Sequence, residues 1–388
     1  MKKTVLIVGL AGILAGAGAR ASTSGGATAG VGLLDMTELQ AKFLEYRDVP
    51  TGVSGSLWLS NQDDRGWFVD LGAKNINQAD QEASFQFWKP GFLRVTGSYN
   101  LIPHRYAFGA LTPYSGVGTG DLTLSNAMQQ DLQSSNSARD LGDTLLADYL
   151  PSFSRVDVEM TREQGKLEIK MPVPKVKGFK ASLAATHEHR MGTKPFAAPF
   201  GFGMAIEVPE PVDYHTTGLT GQLEYVRGPA LFQAEGSLSN FENRYDTFMW
   251  DNPARRTDST GASAYSANYA NGASRGRIDL YPDNLAYSGS MLGRVNLPVR
   301  TNLVLTGVWG RMLQDDPLLP HTTNTAIKVG AYNSPPFDAS DPDSLPVDRL
   351  NARVDTAVYS AKLSSRPLWR VGLKGGIRYE ERVDKRGD

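Results

Sequence analysis

The chain has 388 residues, 40% of them hydrophobic, with 40 basic against 41 acidic side chains and no cysteine. A net charge this close to zero argues against a polybasic nucleic-acid surface. The missing cysteines exclude a disulfide framework, a thiolate nucleophile, a cysteine-ligated metal and a C-x-x-C-H haem-attachment motif, so any redox chemistry would belong to a partner.

At the N-terminus Lys2 and Lys3 precede an apolar run from Val5 to Leu14 and small residues ending in Ala19-Arg20-Ala21. This pattern predicts a secretory signal peptide over 1–21, and the apolar run is too short to span a bilayer as a helix. Residues 22–40 read as a flexible segment, and 41–388 as a transmembrane antiparallel up-and-down β-barrel. No later stretch approaches the roughly 20 apolar residues of a membrane helix. A barrel escapes that test, because half of each strand faces a wet lumen.

Strict alternation recurs along the chain. Leu93, Val95, Gly97, Tyr99 and Leu101 oppose Arg94, Thr96, Ser98 and Asn100, and Val156, Val158 and Met160 oppose Arg155, Asp157, Glu159 and Thr161. Phe179, Ala181, Leu183 and Ala185 oppose Lys180, Ser182, Thr186 and Glu188. Leu219 to Tyr225 carries Gln222 and Glu224 on its polar side, and Phe232 to Leu238 carries Gln233 and Glu235. Tyr287 to Leu297 opposes Ser288, Ser290 and Arg294, while Leu303, Leu305, Gly307 and Trp309 oppose Asn302, Thr306 and, a step out of register, Arg311. Helical periodicity is rare, with 121–150 the main candidate.

The last such segment runs from Trp369 to Tyr379, apolar on one side and bearing Arg370, Lys374, Arg378 and Glu380 on the other. At about 3.3 Å per residue its ten steps cover roughly 33 Å, which a tilt of about 45° reduces to about 23 Å along a membrane normal. An outer-membrane barrel has an apolar band about that tall, with aromatic rings at both rims. The expected lipid-facing girdle is Trp369, Tyr379, Trp309 and Tyr225. The expected lumen-facing residues are Lys180, Glu188, Glu224, Glu235, Arg294, Arg311, Lys374, Arg378 and Glu380, for which a merely solubilising interior is the competing reading.

The connections also alternate. Arg227-Gly228-Pro229 and Pro298-Val299-Arg300 read as tight turns, whereas 103–151, 194–213, 240–278 and 314–348 read as long polar loops. Short periplasmic turns and long extracellular loops are what such a barrel shows. On length, 121–150 and 252–276 are expected to cover the pore. The sequence stops a few residues past a strand without a closing aromatic residue, so it is expected to be an N-terminal portion of a longer barrel.

Candidate sites are sparse. His187 and His189 share one strand face at a spacing that could hold a metal, but no carboxylate at ligand spacing completes a site, and a rim position accounts for His187. Asp63-Asp64 and Asp315-Asp316 read as solvated turns. Asp338, Asp341 and Asp343 lack the ordered pattern of an EF-hand and read as an acidic surface loop. No catalytic, metal or cofactor residues are assigned, and no enzyme activity is expected.

Several stretches, in order, cover most of the chain: Lys42-Phe43 with Glu45-Tyr46-Arg47-Asp48-Val49-Pro50; Lys89-Pro90-Gly91 with Ile102-Pro103-His104; and Pro209-Glu210-Pro211-Val212-Asp213-Tyr214. Leu238-Ser239-Asn240-Phe241-Glu242-Asn243, Trp250-Asp251-Asn252-Pro253, Leu280-Tyr281-Pro282-Asp283-Asn284 and Gln314-Asp315-Asp316-Pro317 continue the series. Together they resemble the MtrB/PioB family of decahaem-associated outer-membrane proteins. The resemblance implies a barrel that sheathes a periplasmic multihaem c-type cytochrome and insulates its haem chain during electron transfer across the outer membrane. Haem would be carried by that partner, and an extracellular multihaem cytochrome is a second candidate partner. Family barrels commonly exceed twenty strands, against about a dozen to fourteen read from this sequence, at the low end of known barrel sizes. The alternative function is a general or substrate-specific porin.

Overall fold

The alternation becomes nineteen strands in the computed structural model, which describes residues 5–17, 22–34, 41–46, 52–134, 148–199, 205–253, 255–258, 273–324, 328–329 and 337–386. In chain order they are β1 (Val5–Ala17), β2 (Ser22–Leu34), β3 (Gly52–Gln62), β4 (Phe68–Ile76), β5 (Glu82–Lys89), β6 (Leu93–Thr112) and β7 (Asp121–Leu122). Then follow β8 (Ser154–Pro172), β9 (Phe179–Pro199), β10 (Ala205–Arg227), β11 (Ala230–Asn243), β12 (Thr247–Asp251) and β13 (Arg275–Asp279). The last are β14 (Asn284–Leu297), β15 (Thr301–Gln314), β16 (Lys328–Val329), β17 (Phe337–Asp338), β18 (Ala352–Leu368) and β19 (Val371–Arg386). Among the described residues one α-helix, α1, spans Asn126–Gln133, and no helix is long and apolar enough to cross a membrane.

Fourteen of the strands form one sheet in the order β1-β2-β3-β4-β5-β6-β8-β9-β10-β11-β14-β15-β18-β19. Every neighbour is antiparallel and follows in sequence, so this is the wall of an up-and-down barrel; among the described residues β1 and β19 each have a single partner strand. The apolar run of the predicted signal forms β1, outermost on β2. Ser22–Leu34, expected to be flexible, is a strand paired on both sides. Its Gly, Ala, Ser and Thr residues offer no apolar alternation to read, yet their backbones pair as well as any others.

The two ends of the sheet differ as expected. The hairpin connections 63–67, 90–92, 173–178, 228–229, 298–300 and 369–370 share one end, while 35–51, 113–153, 244–283 and 315–351 share the other, together with the short turn 77–81. One expected loop is not a loop: through 194–213, β9 and β10 stay paired as far as Pro199 opposite Ala205. Pro195, Pro199, Pro209 and Pro211 make this stretch read as irregular. In the ladder all four occupy one phase, with Pro195 opposite Pro209, so the other residues keep the pairing N–H groups. The ribbon rises alone beyond β8, whose last pair with β9 is Met160 to Gly192. Gly192 has φ +128°, and a Cβ there would lie 2.2 Å from the Glu159 carbonyl, so only glycine fits the point of departure.

Among the described residues most of the sheet has no buried core: alternate residues such as Leu223, Met291 and Ile377 are exposed on its apolar face. The buried cluster lies at the long-connection end, where Tyr114, Leu122, Leu124, Met128, Leu132, Phe248, Trp250 and Leu280 pack against Ala198 and Val208 of the ribbon. Within the span 121–150, where a helix is expected, the described residues form α1, with Met128 and Leu132 one turn apart and both buried; 135–147 lie outside the described residues. β12 pairs antiparallel with β13 and parallel with β7, joining two long connections into a three-stranded cap.

Candidate functional site

The register sorts side chains into two faces, because partners directly opposite each other point the same way. On one face Met171, Ala181, Leu223, Ala234, Met291, Gly307, Tyr359 and Tyr379 form a row across eight strands. Met291 is 62% and Ile377 73% exposed, a burial pattern that suits lipid contact and no soluble surface. Tyr225, its ring tilted against that of Phe179, lies toward the short-turn end, while Trp309, Tyr359 and Tyr379 lie farther along the same face. Trp369 is not in the strand; it sits in the turn before β19 under the Arg370 guanidinium, 4.0 Å from its ring.

The opposite face carries Lys180, Glu188, Glu224, Glu235, Arg294, Lys374, Arg378 and Glu380. Charges of both signs interleave there. Lys180 Nζ donates to Glu224 at 3.2 Å, Gln222 to Glu235 at 3.3 Å, and Arg378 to Glu380 at 2.8 Å. Glu188 accepts from Arg162 and Arg190, each at 2.7 Å, and from Gln164 at 3.3 Å. Aromatic rings are interspersed: Phe68 stacks on Trp88 at 4.1 Å, and Arg94 lies over Trp88 at 5.1 Å. A groove of about 550 Å³ runs here, lined by Trp88, Arg94, Lys170, Lys180 and Glu224.

Arg311 does not belong with this set. The ladder steps from Trp309 opposite Ala357 to Arg311 opposite Asp355 without a slip, so Arg311 shares the apolar face with Trp309. It is satisfied at the edge of the apolar band by Asp355 at 2.6 Å and the Tyr287 hydroxyl at 3.4 Å. A polar side chain directly beyond an aromatic girdle needs no slip to explain it.

The cap packs on the charged side of the sheet, since Phe196, Ala198, Ile206 and Val208 continue the phase of Lys180 and Glu224. Polar residues assemble it. Asn252 donates to Ala273 O at 2.9 Å, Tyr114 to Asp251 O at 2.8 Å, and Gln129 to the Asn252 and Arg255 carbonyls at 2.9 and 3.0 Å. Asn243 ties Tyr281 and Asp283, and buried Glu210 holds Lys194 at 2.9 Å. Burial and the nearby Asp251 charge push the Tyr114 hydroxyl well above the usual tyrosine range. Asp279 and Asp316 are raised, first by burial and then by neighbouring carboxylates, Asp246 among them. At the same end Glu45 meets His104 at 3.3 Å while Tyr46 stacks on His104 at 4.5 Å; a hydrogen bond from Lys42 holds the Glu45 carboxyl below its usual range.

The remaining candidates are dispersed. Asp63 accepts from the Arg65 and Trp67 backbone, Asp315 pairs with Arg349 at 3.1 Å, and Asp338 and Asp341 accept from the backbone of residues two further on. His187 and His189 lie on the outward, apolar-side face, just past Ala185 toward the long-connection end. No carboxylate stands at ligand spacing along their own strand, but the pairing of β9 with β10 brings Asp213 and His215 beside His189. Only the β9–β10 register could have revealed this.

Fold and faces define an outer-membrane β-barrel wall, and the comparisons agree. The profile of the outer membrane beta-barrel porin family MtrB/PioB matches residues 40–387, and the chain belongs to that family. It is similar to Outer membrane protein MtrB of Shewanella baltica (strain OS185), 26% identical over 332 residues, which are 82% of this chain and 40% of that protein. The chain thus spans about two fifths of the length of that relative. Among solved structures, OmpTdeltaL8, a loop L8 deletion mutant of OmpT, an outer membrane protein of Vibrio cholerae, covers 98% of this chain and 94% of its own at 8% identity and a TM-score of 0.30, too low to carry an argument. The protein is located in the bacterial outer membrane.

Proposed function

We propose that this barrel wall holds a multihaem c-type cytochrome against its charged face and insulates the haem chain from lipid during electron transfer across the outer membrane. The observation that carries the reading is the contrast between faces. One is apolar and exposed; the other interleaves Lys180, Glu224, Glu235, Arg294, Lys374, Arg378 and Glu380 with Trp88 and Phe68. Mixed-sign charge with aromatic anchors suits a protein docking surface, where complementary charge steers encounter and rings supply contact area. The cap at the long-connection end supports an outer closure of such a sheath. Haem belongs to the partner in this reading, and the barrel positions it without reacting itself.

The test is capture from outer membranes in mild detergent, followed by haem staining and a spectrum. A c-type cytochrome should co-purify, and reversing Lys180 and Lys374 to glutamate should weaken its retention, more so at low salt. Recovery of the barrel without haem, together with solute flux in liposomes, would favour the porin reading instead.

A further inference from the structure

We propose that His189, Asp213 and His215 form a binding site for a late first-row divalent cation such as Zn²⁺ on the outward face of the barrel, at the base of the β9–β10 ribbon. Asp213 Oδ1 lies 2.7 Å from His189 Nε2 and 3.2 Å from His215 Nε2. The two imidazoles are stacked with centroids 4.1 Å apart and planes 14° apart, and the three donor atoms lie within 4.8 Å of one another. A tetrahedral ion about 2.0–2.2 Å from each donor would hold neighbouring donors roughly 3.3 Å apart, so loading needs side-chain rotation and no change in the ladder. Two imidazoles and one carboxylate favour Zn²⁺, Ni²⁺, Co²⁺ or Cu²⁺ over Ca²⁺ and Mg²⁺, which prefer oxygen shells.

The surroundings favour positive charge. The register sets Glu163, His189, His215 and Glu242 in one transverse row across β8, β9, β10 and β11. Glu163 accepts from Tyr99 at 2.8 Å and Glu242 from Asn240 at 2.9 Å, so both carboxylates are held in that row; Arg244, 3.5 Å from Glu242, offsets one of them and leaves Glu163 and Asp213 to face the ion. His187 is bonded to Thr217 at 3.0 Å, with its ring 5.6 Å from that of His215, a candidate fourth ligand beside water. The residues toward the short turns, Ala185 and Leu219, are apolar, so the site opens at the boundary where an aqueous ion can enter. It also sits where β9 and β10 leave the sheet to carry Phe196, Ala198 and Val208 into the cap. A bound ion would cross-tie the ribbon at its base and steady the cap.

The probe is Zn²⁺ added to the purified, folded full chain in detergent micelles. One equivalent per chain should survive gel filtration, and X-ray absorption should report two imidazole nitrogens with oxygen. Asp213→Asn, which keeps the shape of the site, should weaken binding by more than tenfold, and His189→Ala with His215→Ala should abolish it. His321→Ala should leave it unchanged. Zn²⁺ should also slow amide hydrogen exchange in 205–213 of the wild type only. Retention of the ion by the double variant, undiminished affinity in Asp213→Asn, or no retained Zn²⁺ in the wild type would each overturn the proposal.

Discussion

The cap offers the sharpest energetic test, through Trp250 and Gly276. Trp250 is 2% exposed and meets Phe248 and Phe196 at centroid distances of 5.4 and 5.5 Å. A buried indole removes on the order of 200 Å² from water, worth about 5 kcal/mol at about 25 cal/mol per Å². Its Nε1 is buried without a hydrogen-bond partner, so deleting the ring also removes a penalty of about 1 kcal/mol. Trp250→Ala should therefore cost the cap about 3–4 kcal/mol, within the usual range for a buried aromatic. Amides of β7 and β12 should exchange roughly two to three powers of ten faster by mass spectrometry, while those of the main sheet stay protected. Gly276 supplies the control, because a Cβ there would lie 2.3 Å from the indole. Gly276→Ala alone should cost about 1–3 kcal/mol by overpacking, and that cost should largely vanish in the Trp250→Ala background. If the two effects simply add, or if Trp250→Ala leaves the β7 and β12 amides unchanged, the cap is not built on this contact.

Three further outcomes follow from the faces and the cap. Met291→Arg on the apolar face should destabilise folding into bilayers by about 2–4 kcal/mol, whereas Gln222→Arg on the charged face should fold like the wild type, as judged by heat-modifiable gel mobility. Glu210→Gln should loosen the ribbon by about 3 kcal/mol, because it strands Lys194 beside a partner with no charge, and exchange at 193–199 should report it. Asp279 and Asp316 have raised proton affinity in the folded cap, so the folded state takes up protons before the unfolded chain as pH falls. Cap stability should therefore rise as pH drops through the window just above the ordinary aspartate value of 3.8. Asp316→Asn should flatten that dependence and add up to about 1 kcal/mol at pH 7; a cap that loses stability through the same window in wild type and variant alike would refute the assignment.

Sequence and structure differ at places that share a physical cause. Arg311 looks like a lumen residue only if a slip is assumed, and the unbroken pairing to Asp355 removes the slip. The prolines of 194–213 suggest a loop, yet they fall in the one ladder phase that tolerates them. His189 has no carboxylate at ligand spacing along its own strand, because Asp213 lies 24 residues away and arrives from the neighbouring strand. Each case turns on register, which is a property of two strands.

The features legible along the chain are local. Alternation with period two marks each strand, and its apolar and charged sides follow from the outward direction of successive side chains. The contrast between short turns and long connections likewise follows from turn chemistry along a single segment. Which of these segments lie side by side depends on the assembled sheet and cap. The long connections 113–153 and 244–283 build one cap around Trp250, and the β9–β10 ladder sets two histidines against Asp213. Both depend on contacts between residues far apart in the chain, which no local pattern encodes.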